Sequence, residues 1–273
     1  MNLSLPFPHR APVTTRKSNS AGTIDLRFAC SSEKQFLFVD RSRTAVPYET
    51  AWHWQKQTVD LLCSAPDGVE HPDCVFLVQH PPVFTLGAGS SESNLKFDAD
   101  DPPHPLYRTE RGGEVTYHGP GQLVLYPIIN LKRHKCDLHW YMRQLEEVAI
   151  QSVMEVSGLQ GERIAGLTGV WVEGSKVAAI GVRAKRWVTY HGLALNVAMD
   201  LSPFSMIVPC GISNRAVTSV KDSLAVGSEN AAREMDDQEL LEEYRFGLLD
   251  SFEQVFDREG VPVTVEELGL AGE

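Results

Sequence analysis

Cysteine is scarce: five in 273 residues, none paired as C-x-x-C. That count makes no disulfide scaffold, and the spacing argues against a structural zinc site. No apolar run reaches the roughly 18 residues of a membrane-spanning helix. Positive charge is in deficit too, with 25 Lys and Arg against 36 Asp and Glu and a net charge of -11. A globally acidic chain repels nucleic acid and anionic membranes, so neither is an expected partner. Internal repeats and low-complexity linkers are absent, which excludes a repeat solenoid. What is there is 42% hydrophobic and 22% charged, the balance of a folded globular chain, and the length suffices for a sizeable core.

The first 32 residues differ from the rest. They hold Arg10, Arg16, Lys17 and Arg27 against one acid, Asp25, and eight Ser or Thr. They lack the apolar centre of a secretory signal. Basic, hydroxylated and acid-poor is the composition of an organelle transit peptide, and the abundance of Ser and Thr favours a plastid over a mitochondrion. Residues 1–32 are therefore expected to be a disordered leader, and 33–273 a single catalytic domain.

Short apolar runs at Gln35–Asp40, Cys74–Gln79, Leu123–Ile129 and Gly169–Val172 predict strands. Lys176–Val182 and Trp187–Val197 predict a hairpin joined by the basic turn Arg183–Arg186. Three helices are expected: Tyr48–Leu62 after Pro47, Leu138–Val156 between a capping Asp137 and a terminating Gly158, and Asp236–Phe256. Ser223–Arg233 is small and polar and is expected to be a loop. Single helices alternate with strand pairs, not with single strands, so the fold class is α+β, a mixed sheet with helices packed mainly on one side.

Four segments carry chemistry. The densest is RGGEVTYHGPGQLVLYP, Arg111–Pro127, where glycines interleave with Arg111, Thr116, Tyr117, His118 and Gln122. Such a segment can line a substrate or form a tight structural turn. In the second, GVWVEGSKVAAIG (Gly169–Gly181), Lys176 opens an otherwise apolar strand. It is either a surface lysine after a turn or a buried amine whose charge is opposed by desolvation. The third, WVTYHGLALNV (Trp187–Val197), holds His191, which either lines the same pocket or is a strand histidine bonded to a backbone carbonyl, and which by itself reads as structural. In the fourth, IVPCGI, Cys210 sits in a Pro-Gly turn that can expose a thiol, although most lone cysteines are inert core fillers. Cys30, Cys63, Cys74 and Cys136 lie in less useful contexts.

Taken together and in this order, the four segments resemble the octanoyltransferase (lipoyl(octanoyl) transferase) family of lipoate synthesis. HPPVFTLG, His80–Gly87, is similar to that family's early strand and turn, and the resemblance spans about residues 36–220. One departure is Gly87–Ala88–Gly89, where members often carry a polar or basic residue after the glycine. The resemblance implies the biotin/lipoate ligase-like α+β fold and transfer of an octanoyl group from octanoyl-acyl carrier protein to a lysine of a lipoyl domain. It implies Cys210 as the acyl-thioester cysteine and Lys176 as the residue that favours its thiolate. The substrate-binding stretches it implies are Arg111, Gly112, Gly113, Glu114, Val115, Thr116, Tyr117 and His118; Ala179, Ile180 and Gly181; and Gly192, Leu193 and Ala194. Val177, with the aliphatic members of the last two stretches, would form the acyl slot.

No metal and no cofactor are expected. Exchange of one thioester for another is nearly isoenergetic, so no ATP is needed. Backbone amides around Gly211, or at Gly112 and Gly113, could meet the oxyanion. Acceptors would be lipoyl domains such as those of the acyltransferase subunits of 2-oxoacid dehydrogenase complexes and the glycine cleavage H protein. A monomer is expected. Basic patches at Lys132–Arg133–His134–Lys135 and Arg183–Lys185–Arg186 would offset the acidic surface towards acidic carriers. Two other readings stay open: an ATP-dependent lipoate or biotin ligase on the same scaffold, and a non-catalytic acyl-carrier-binding protein. A papain-like hydrolase fits less well, because no orienting carboxamide is evident.

Overall fold

A computed structural model describes residues 34–65, 71–208, 215–227 and 236–270. The leader 1–32, Cys210 and the stretch 228–235 lie outside the described residues.

The main sheet has eight strands. At one edge β1 (Gln35–Ala45) runs parallel to β11 (Glu259–Pro262) and, on its other side, to β2 (Asp73–Gln79). Then follow β6 (Gln122–Ile128), β10 (Val188–Asn196), β9 (Ser175–Lys185), β8 (Leu167–Val172) and β7 (Glu162–Ile164), each antiparallel to the one before. The sheet is mixed, as the α+β reading requires.

The central strands β2, β6 and β10 are buried almost end to end and mostly apolar because both faces are covered. Side chains alternate with period two. Val75, Leu77, Leu123, Leu125, Leu193 and Leu195 face helices α2 (Leu138–Ser157) and α4 (Asp237–Phe256). Cys74, Phe76, Val78, Val124, Tyr126 and Ala194 share the opposite core with Ala51, Trp54, Val59 and Leu62 of helix α1 (Tyr48–Ser64). Helices thus lie mainly on one side, with α1 on the other. Asp137 caps α2 by accepting from the Trp140 N–H at 3.0 Å, and Gly158, at φ 68°, ends it.

Two expectations need correction. The hairpin turn is narrower than Arg183–Arg186: β9 continues to Lys185, and only Arg186 and Trp187 (φ 52° and 71°) turn. Two consecutive left-handed residues match the right-handed strand twist, so pairing survives almost to the tip. The stretch expected to be a loop from Ser223 begins instead inside helix α3 (Val220–Gly227). Ser219 Oγ accepts from the Asp222 N–H at 3.0 Å, and Val220 is fully buried in the main core. A helix anchored by so few apolar residues carries little periodic signal.

A second sheet has the order β4-β3-β5, from β3 (Val83–Leu86), β4 (Leu106–Arg108) and β5 (Thr116–His118). Its own small core gathers Phe84, Leu86, Val115, Tyr117, Met199 and Ile207. The chain passes from β5 through Gly119-Pro120-Gly121 directly into β6, and Tyr48 of α1 stacks on Tyr107 of β4 and His118 of β5, so the small sheet stands beside the α1 face of the large one.

Candidate active site

A cleft of about 480 Å³, counting its open mouth, lies on that face. Its floor is made of small residues in register: Ala179 pairs with Ala194 and Gly181 with Gly192 across β9 and β10. Gly192 has room for nothing larger, since a Cβ there would stand 2.3 Å from the Leu125 carbonyl oxygen. Val124 adds apolar lining, while Ile180 and Leu193 border the cleft with side chains that belong to the α2 and α4 core.

The roof is the strap Arg111–Glu114. The Gly112 N–H donates to the Val182 carbonyl at 3.0 Å, and the Ala88 N–H donates to the Arg111 carbonyl at 2.9 Å. Gly87 is packed so closely that a Cβ would lie 1.8 Å from the Gly113 oxygen. The Arg111 guanidinium, nearly buried, donates to the Thr85 carbonyl (2.7 Å) and hydroxyl (2.9 Å) and to the Gly112 carbonyl (3.0 Å). Arg111 therefore ties the strap to β3. The Gly112 N–H is already engaged, which removes it as a donor to an oxyanion.

Polar rings close one end. His80 Nδ1 lies 2.7 Å from the Val46 carbonyl oxygen and Nε2 lies 2.8 Å from the Tyr126 hydroxyl. A carbonyl only accepts, so Nδ1 carries the proton and the Tyr126 O–H donates to Nε2. Burial pushes the His80 imidazole down to about 4. His118 Nδ1 meets Gln122 Oε1 at 2.7 Å, and burial, with His80 nearby, pushes it down to about 3. Both rings are neutral at ordinary pH, which suits positioning and not cationic catalysis. Gln122 Nε2 donates to Asn196 Oδ1 (2.9 Å), Asn196 Nδ2 to the Thr218 carbonyl (2.9 Å), and the Thr218 N–H to the Lys176 carbonyl (2.9 Å). A chain of amides thus links His118 to the backbone of Lys176.

His191 departs from its simple strand reading. Its φ is 58°, its backbone N–H donates to Gln55 Oε1 at 2.7 Å, and neither ring nitrogen makes a hydrogen bond to a described residue. Glu110 Oε2 stands 3.7 Å from Nε2, and the His191 ring beside it holds the Glu110 carboxyl down at about 2.

Of the expected site residues, Arg111, Gly113, Glu114, Thr116 and His118 line this one cleft with Ala179, Ile180, Gly181, Gly192, Leu193 and Ala194. Val115 and Tyr117 point away, into the small core, because residues alternate along the strand entering β5. Val177 likewise faces the α2 and α4 core and not the acyl slot. Lys176 is the second residue of β9, 6% exposed, so the surface reading of it does not hold. Cys210 lies outside the described residues. The chain on its two sides is placed: the Val208 N–H donates to the Asn94 carbonyl, and Val217 pairs in parallel with Lys176. Tyr48, Val124 and Tyr126 also line the cleft without having been singled out as binding residues, and His191 lines it as one of its two readings allowed. Of these only His191 offered a local signal, a histidine before glycine in a strand.

Residues 47–243 match the model of the lipoyl protein ligase A/B catalytic domain. An octanoyltransferase of Arabidopsis thaliana, LIP2p2, described as chloroplastic, is 50% identical over 82% of this chain and 79% of its own length. That of Synechococcus elongatus is 51% identical over 81% of this chain and 88% of its own. The chain belongs to the octanoyltransferase family. It is an acyltransferase, and octanoyl transfer in protein lipoylation is its activity. The fold of this octanoyltransferase is that of lipoate protein ligases. The bipartite lipoate protein ligase of Thermoplasma acidophilum superposes with a TM-score of 0.62 at 16% identity, covering 86% of this chain and 90% of that one.

Proposed function

We propose that the octanoyl donor is octanoyl-acyl carrier protein and that the group passes through a thioester on Cys210 to a lysine of a lipoyl domain. One observation carries the reading. A buried lysine, Lys176, sits on the same strand as Ala179–Gly181, the floor of an apolar cleft, and is clasped by the chain that emerges seven residues after Cys210.

The chemistry balances without a cofactor. The Cys210 thiol gives its proton to Lys176, and the thiolate attacks the donor thioester carbonyl. The C–S bond to the carrier breaks, and the carrier thiolate leaves with the proton from Lys176. The acceptor lysine's amine then attacks the acyl-cysteine, giving its proton to Lys176. Cys210 leaves as thiolate and is reprotonated from Lys176. The octanoyl chain lies over Ala179 and Ala194, and neutral His118 and Tyr126 shape the end of the slot. Acceptors are lipoyl domains of 2-oxoacid dehydrogenase complexes and the glycine cleavage H protein. The chloroplast location of the Arabidopsis relative, together with the composition of residues 1–32, supports the plastid as the site of action.

The test is transfer in the absence of nucleotide. With octanoyl-carrier and a lipoyl domain, mass spectrometry should find an octanoylated acceptor lysine. A strict requirement for ATP and free octanoate would overturn the reading in favour of a ligase.

A further inference from the structure

The Lys176 side chain lies in a mould built by residues from β8 and α2. Gly169, in β8, has a φ of 123°, a conformation that side-chain-bearing residues rarely adopt. A Cβ there would stand 2.8 Å from Lys176 Cε, 3.3 Å from Nζ and 2.6 Å from the Ala178 carbonyl oxygen. The lysine methylenes thus run through the space that any other residue at 169 would fill. The β8–β9 pairing is irregular at this point: Val170 pairs with Ala178 but Trp171 with Lys176. That shift brings Trp171 beside the lysine.

Gly169 is held from behind. Its N–H donates to Glu146 Oε1 at 3.0 Å. Glu146 is a fully buried carboxylate on α2, whose other oxygen accepts from Arg143 Nη1 and from Arg163 Nε (3.1 Å). Arg163 is itself fixed by Glu147 Oε2 at 2.6 Å and by the Arg143 carbonyl. Buried ion networks add little to stability compared with apolar packing, so precise placement is the better account of this one. The Trp171 ring, 1% exposed, also lies beside the lysine. Lys176 Nζ lies 5.1 Å from its centroid and the Arg215 guanidinium 5.5 Å. An indole face attracts an ammonium through its quadrupole, most strongly where water is excluded.

We infer that Gly169, Trp171 and Glu146 are positioning residues for the transfer reaction, which fix the place of the Lys176 ammonium. This deepens the proposed function and rests on it. None of the three touches the acyl group; each acts through Lys176.

The test is the pH midpoint of iodoacetamide alkylation at Cys210, read by peptide mass. It is measured in the full chain and in Lys176→Ala, Trp171→Phe, Trp171→Leu and Glu146→Gln. A cation near the sulfur lowers that midpoint, and its loss or displacement raises it. Lys176→Ala should show the largest rise. Trp171→Leu should show a rise and an acylation rate at neutral pH reduced about tenfold, the scale of a desolvated cation–π contact. Trp171→Phe, which keeps a ring, should fall between Trp171→Leu and the unaltered protein. Glu146→Gln should raise the midpoint as well. If the leucine variant fails to fold, the phenylalanine and glutamine variants carry the comparison. Midpoints unchanged in Trp171→Phe and Glu146→Gln, beside a clear rise in Lys176→Ala, would overturn the positioning role alone. An unchanged midpoint in Lys176→Ala would overturn the thiolate–ammonium reading beneath it.

Discussion

His80 and His118 show how single residues set the chemistry of the cleft. Each sits at a buried position with one ring nitrogen committed to a fixed acceptor, and burial holds them at about 4 and about 3. These values lie below that of an exposed histidine. As pH falls from about 6.5 towards 4, the unfolded chain therefore takes up protons that the folded protein refuses. Stability that is complete above pH 6.5 is lost on the way down, by up to about 1.4 kcal/mol per pH unit for each histidine. The denaturant midpoint should accordingly drop between pH 7 and pH 5, and His80→Gln should lessen the drop. Equal drops in the two proteins would show that His80 is not held neutral. Arg111 teaches a different lesson at the same scale. A lone arginine in a glycine-rich segment invites assignment as an anion clamp, yet its guanidinium is engaged by Thr85 and its own loop.

Among the elements, the β9–β10 pair decides what the cleft accepts. With Ala179 paired against Ala194, only small side chains stand on this part of the cleft. Ala194→Leu should fill it. Octanoyl transfer should fall about tenfold or more, the scale of overpacking, while a butanoyl donor should lose less. Competition between the two donors, read by mass spectrometry of the acceptor, checks this; an unchanged ratio would place the acyl chain elsewhere. Much of this element-level picture was legible in the residues. The β2 and β6 strands are mostly apolar because both faces are covered, and Asp137 and Gly158 mark the ends of α2. The floor was legible because Ala179, Gly181, Gly192 and Ala194 are conspicuously small in apolar strands. The end wall was not. Tyr48, His80 and Tyr126 meet through contacts between residues 32 and 46 positions apart, and nothing local marks such a meeting. Helix α3 escaped for the opposite reason: its local pattern is too weak, and the core contact of Val220 decides.

At the scale of the whole molecule the surface charge has to be reconciled with acidic partners. The two basic patches differ once folded. In the first, Arg133 and His134 turn inward to Asp73, with His134 Nε2 2.8 Å from its carboxylate. In the second, Lys185 pairs with Asp60 at 2.7 Å, while Arg183 and Arg186 remain exposed at the hairpin. Reversal of charge at Arg183 and Arg186 together should therefore weaken capture of the donor at low salt, and the difference should shrink as salt is added. A salt-independent effect, or none, would exclude docking at the hairpin. All of these expectations converge on one covalent species. Intact-mass measurement after mixing with octanoyl-carrier and no acceptor should find one octanoyl group on the unaltered protein and none on Cys210→Ala. An octanoyl adduct persisting on Cys210→Ala, or transfer proceeding at full rate in that variant, would contradict the account.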